Sequence, residues 1–84
     1  MHRLEVSHVA HRQIRKLPLQ TQERVNAAIA RLADDPRPSG VKKLVAIGGY
    51  RIRVGDYRIL YHIDDEARVV IVYRVMPRED VYRR

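Results

Sequence analysis

Along this chain the spacing of apolar residues changes from a helical to a strand period near residue 41. Before it, "HRLEV" alternates and reads as a short first strand. Ser7 then stands where an N-cap belongs, and Ala10, Ile14 and Leu17 follow at helical spacing until Pro18 ends the run. "LQTQERVNAAIARLADD" is the clearest helix. Val25, Ala28, Ile29 and Leu32 make one apolar stripe, while Gln20, Glu23, Arg24 and Arg31 face outward. Only Pro18 and its neighbours separate the two, which predicts an antiparallel helical hairpin.

"DDPRPSG" is a connector by its Pro and Gly content. "VKKLVAI" then reads as a strand and the two glycines at 48–49 as a turn or bulge. "YRIRV" and "YRILYHI" alternate on either side of Gly55-Asp56, a pair that suits a type II′ hairpin turn. "DDEAR" is a second, solvated turn. "VVIVYRVM" is the most apolar run and the candidate for a central strand buried on both faces, stopped by Pro77 ahead of the tail "REDVYRR". The expected fold is α+β, order β-α-α-β-β-β, with a helical hairpin packed on a mostly antiparallel twisted sheet. Residues 1–84 read as a single domain.

Alternation sorts the hairpin into two faces. Tyr50, Ile52, Val54, Tyr57, Ile59, Tyr61 and Ile63 share the face expected to meet the helices; these tyrosines, with Tyr73, read as core. Arg51, Arg53, Arg58, Leu60 and His62 share the other. A turn at Gly55-Asp56 sets Arg53 directly opposite Arg58, and like charges so placed weaken strand pairing by roughly 0.2–1 kcal/mol. Arginines on a solvated sheet face are common, and their stems cover apolar surface. Here the tail adds Arg78, Tyr82, Arg83 and Arg84 near the same strand end. An anion over the face would relieve the repulsion, and Tyr82 offers a ring able to stack on a base. Which face Arg74 joins is left open, because one residue in the length of the second turn changes it.

Composition narrows the partners. The formal net charge of +7 favours anionic ones. The excess is spread over both halves, with seven cations against four acids in residues 1–40 and ten against six in 41–84, so the fold must assemble any anion site. With no Trp or Phe, an 84-residue chain builds its core from aliphatic and tyrosine side chains, and its stability leans on a bound partner. No cysteine is present, which excludes disulfides and thiolate metal sites. His8 and His11 have no acidic or cysteine companion at ligand spacing, so neither a metal nor a cofactor is expected. With no signal-like or membrane-spanning apolar run, the expectation is a soluble, cytoplasmic protein without a membrane partner.

"KKL", "GYRIRVGDYRILYHID", the valine-rich strand and "PREDVYRR" together resemble the RelE/ParE toxin superfamily, its RelE branch in particular. The resemblance implies the toxin of a type II toxin–antitoxin pair, neutralised by a RelB-type antitoxin. It implies cleavage of mRNA in the A site of the 70S ribosome, in which a ribose 2′-OH attacks the adjacent phosphate to leave a 2′,3′-cyclic phosphate and a 5′-OH, without a metal. By motif, Arg58 resembles the phosphate-stabilising arginine, Arg78 the arginine near the leaving oxygen, and Tyr82 the tyrosine that stacks on or orients the nucleotide. Arg51 and Arg53 stand where some members carry lysines, and Lys42 and Lys43 are candidate RNA-phosphate contacts.

Two departures bear on the general base. Arginine at 51 and 53 does not deprotonate usefully near neutral pH, and Pro77 replaces a histidine common in relatives, which implies a weakened activity. Tyr82, a ribosomal water, His62, or Glu79 and Asp80 beside Arg78 are the remaining candidates. Two other readings stay open: a ParE-type inhibitor of DNA gyrase, and a degenerate toxin that reaches operator DNA only through its antitoxin complex.

Overall fold

The computed structural model describes residues 1–77. Its elements run β1 (Arg3–Val6), α1 (His8–Arg15), α2 (Leu19–Arg31), β2 (Lys42–Lys43), β3 (Tyr50–Val54), β4 (Tyr57–Asp64) and β5 (Val69–Pro77). The α+β plan is as expected, and the short segment at 42–43 counts as a strand of its own. Ser7 does cap α1, its hydroxyl accepting from the Ala10 amide at 3.1 Å while donating to the Tyr73 carbonyl. Pro18 opens α2 without a side-chain cap. The Gln22 side-chain amide instead donates to the Leu17 carbonyl at 2.8 Å, closing the link between the helices.

Five strands form one sheet in the order β1-β5-β4-β3-β2. β1 pairs parallel with β5, and every other pairing is antiparallel. β5 is therefore interior, as its valines predict, but β4 holds the centre, and β5 is not buried on both faces: Arg74 is exposed and Ile71, Tyr73 and Met76 are half-buried. The helices cover one face. Ala10, Ile14, Val25, Ala28, Ile29 and Leu32 meet Ile52, Ile59, Tyr61, Val70, Val72 and Val75 in a single core. Among the described residues no helix is long and apolar enough to cross a membrane.

Two further expectations are corrected. "VKKLVAI" does not run as a strand from 41 to 47: only Lys42 and Lys43 pair, and Val45 and Ile47 are exposed on a turn. The positive-φ glycines at 48 and 49 reverse the chain before it can pair further, and Leu44 N–H closes the loop onto the Gly49 carbonyl at 2.8 Å. Tyr73 leaves the helix-facing set. Its ring stacks on His62 across the opposite face, centroids 4.7 Å apart, and its hydroxyl donates to the Gly48 carbonyl. Tyr61 is fully buried and donates to the Pro36 carbonyl at 2.7 Å, tying the connector to the sheet.

Candidate functional site: a basic sheet face

The β3–β4 hairpin turns at Gly55 (φ +58) and Asp56; only the first central residue has positive φ, the type II′ pattern. The turn fixes the register, and Arg53 pairs with Arg58 as the alternation requires. Since Ile52, Ile59 and Tyr61 enter the helix-side core, Arg51, Arg53, Arg58, Leu60 and His62 occupy the far side. Lys42 pairs with Arg51 and shares its face, whereas Lys43 pairs with Tyr50 and so lies on the helix side, exposed. The two lysines are therefore not one contact set. Adjacent strand residues point to opposite faces.

Burial separates the three arginines. Arg58 is 1% exposed and Arg51 8%, whereas Arg53 is exposed at the hairpin's outer edge. Leu60, between them, is buried and gives the face an apolar floor. A guanidinium taken out of water keeps its charge and strengthens its interactions with any nearby anion. His62 continues this face one step further along β4, its ring against Tyr73 and the backbone of Gly48 and Gly49. Burial raises the Tyr73 phenol above its ordinary value, and Arg74 partly opposes that rise. Tyr73 is thus a poor base at neutral pH. Arg78 and Tyr82 lie outside the described residues, as do Glu79 and Asp80.

Two features escaped the sequence reading. Arg74 joins the basic face, opposite Leu60. The signal is a break in valine spacing, since Val70 and Val72 enter the core and then Val75 does. Val69 and Ile71, on either side of Val70, are apolar too and hide it. A second cluster forms at the opposite end of the sheet. Arg37 holds both carboxylate oxygens of Asp65, at 2.9 and 3.4 Å, and lies over the Tyr50 ring, 5.2 Å from its centroid. The Arg37 hydrogen bond lowers the Asp65 pKa, and that same bond raises Arg37. A groove of ≈ 670 Å³ separates α2 from β3, with Ala28, Leu32, Ile52 and Val54 among its apolar lining and Arg24, Arg31, Arg53, Asp34 and Asp35 among its charged lining.

Two helices over one face of a five-stranded mixed sheet, with a basic opposite face, define a small domain suited to anionic partners. The family model described as the ParE toxin of type II toxin–antitoxin systems matches residues 4–82. Toxin RelG of Mycobacterium tuberculosis is 38% identical over 78 residues, covering 89% of this chain and 88% of that protein. The fold is similar to the RelBE2 toxin–antitoxin complex of the same organism, with TM-score 0.80 and 31% identity over 92% of this chain and 98% of that one. It is also similar to the archaeal RelE–RelB complex of Pyrococcus horikoshii, with TM-score 0.81 and 26% identity over 92% and 94%. The chain belongs to the RelE/ParE superfamily of toxins of type II toxin–antitoxin systems.

Proposed function

We propose that this toxin is a ribosome-dependent endoribonuclease of the RelE branch, which cuts mRNA in the A site and acts in the cytoplasm. The observation that carries the reading is the pair of buried guanidiniums, Arg51 and Arg58, on one sheet face beside exposed Arg53. Burying charge is costly, and such sites persist where function uses them. In-line attack of a 2′-OH needs the scissile phosphate held still and its added negative charge stabilised. Arg58 takes that role, with Arg51 and Arg53 binding the phosphates around it and Lys42 extending the path. Arg78 serves the leaving oxygen and Tyr82 the orientation of the nucleotide. Arginine supplies charge and geometry rather than a base, so proton abstraction falls to Tyr82 or to a ribosomal group.

A RelB-type antitoxin fits the groove between α2 and β3, whose apolar lining suits the apolar face of an amphipathic segment and whose Arg24, Arg31 and Arg53, beside Asp34 and Asp35, can pair with its charged residues. The solved relatives named above are toxin–antitoxin complexes, RelBE2 and RelE–RelB. The test is primer extension on an mRNA translated in vitro with the toxin added. Cuts in frame with codons, lost in Arg58→Ala and in Arg78→Ala, support the nuclease. Their absence at toxin levels that still arrest growth sinks it. The matching family model, described by the ParE toxin, favours a second reading, inhibition of DNA gyrase. Trapped DNA breaks and an SOS response without RNA fragments would establish that one.

A further inference from the structure

We infer that Arg74 is a further RNA-phosphate-binding residue of the basic face, delivered to it by a β-bulge in β5; this rests on the nuclease reading above. Along β4 and β5 the pairing runs Asp64↔Val69, Ile63↔Val70, His62↔Ile71 and Tyr61↔Val72, and then shifts by one to Leu60↔Arg74, Ile59↔Val75 and Arg58↔Met76. Tyr73 is the extra residue. Without it Tyr73 would oppose Leu60, and Arg74 would oppose Ile59 on the helix side, inside a core formed by Ile59, Val72 and Val75. Bulges concentrate beside functional sites, where they re-aim a side chain.

The bulge is held in place. The Tyr73 ring stacks on His62 and its hydroxyl bonds Gly48, while the Val75 amide donates to the Gln13 side chain at 2.7 Å from the helix side. The result is a rung of four aligned residues, Lys42, Arg51, Leu60 and Arg74, across four strands. Its cations flank the buried Leu60. The next rung on this face is Arg53, Arg58 and Met76. Arg74 is thus a diagonal neighbour of Arg58 across the β4–β5 ladder, at a typical Cα separation of about 7–8 Å that long side chains span. Exposed Arg74 and buried Arg58 are placed to hold different phosphates of one strand.

The test measures equilibrium binding to 70S ribosomes programmed with an mRNA whose A-site codon carries 2′-deoxyribose, so that nothing is cut, over a series of salt concentrations. Arg74→Ala is expected to bind about tenfold more weakly, as for one lost charge-assisted contact. Its log–log salt slope should be shallower by about 0.7. Arg74→Lys should recover most of both, and Arg15→Ala, an exposed cation of α1 on the other side of the sheet, should match wild type. Unchanged affinity and slope in Arg74→Ala would overturn the inference and leave the nuclease reading standing. An equal loss in Arg15→Ala would overturn it too, by showing a general charge effect. No binding by the wild-type toxin would overturn both.

Discussion

Arg53 and Arg58 share one rung of the β3–β4 ladder, yet Arg53 is exposed to solvent while Arg58 is 1% exposed. On the nuclease reading proposed above, the pair divides two tasks. Arg53 remains hydrated and suits an outer phosphate, whereas Arg58 holds its charge in a dry setting where it acts most strongly.

This division predicts that position 58 matters more to cleavage than position 53. Charge aimed at the developing charge of the reaction acts most strongly in a dry site. Arg58→Met should lower cleavage roughly 10²–10³-fold in the primer-extension assay, and Arg53→Met clearly less. Equal losses in the two variants would contradict the division.

The loop beside the site has a backbone requirement at Gly49. Its φ is +83°, and a Cβ built there would sit 2.5 Å from the Tyr61 carbonyl oxygen. At Gly40, with φ +88°, a Cβ would meet nothing within 4 Å. Gly40→Ala should cost about 1–2 kcal/mol from conformation alone. Gly49→Ala should cost clearly more, because backbone must move as well. Equal melting temperatures for the two variants would contradict this account.

Alkaline stability should depend on Tyr61. Burial pushes its phenol up to about 12 from an ordinary 10. The folded state therefore holds this proton more tightly than the unfolded chain does. The resulting stability is present below pH 10 and is lost as pH rises from about 10 towards 12. Tyr61→Phe removes the hydrogen bond to Pro36 and should cost about 1 kcal/mol at pH 8. It should also flatten the pH dependence of urea unfolding between 10 and 12. A slope matching wild type would assign the alkaline limb to other tyrosines.

At the acid end the relevant group is Asp65, whose pKa is lowered chiefly by its hydrogen bond to Arg37. Its contribution is present above the unfolded carboxyl value, near 3.8, and disappears as pH falls below that. Both partners are well exposed, so the effect is small and salt-sensitive. Asp65→Asn should flatten unfolding curves below pH 4 at low salt, and added salt should erase the difference from wild type. A difference that persists at high salt would point to packing around Tyr50 instead.

Period and turn chemistry alone determined the two helices, the cap at Ser7, the hairpin at Gly55-Asp56 and the sharing of one face by Arg51, Arg53 and Arg58. Each of these rests on neighbours within a few positions, or on the two-residue period that a tight turn propagates. The tertiary structure decided everything that depends on non-local partners. It shortened the expected strand at 41–47 to two residues, because the glycines at 48 and 49 turn the chain. It paired β1 with β5 in parallel, residues more than sixty positions apart. It moved Tyr73 out of the core and brought Arg74 to the basic face through a bulge that no alternation within β5 reveals, since Val69, Val70, Ile71 and Val72 are all apolar. It also chose which arginines are buried. Alternation assigns a side chain to a face of the sheet, and only the surrounding chain determines how much water reaches it.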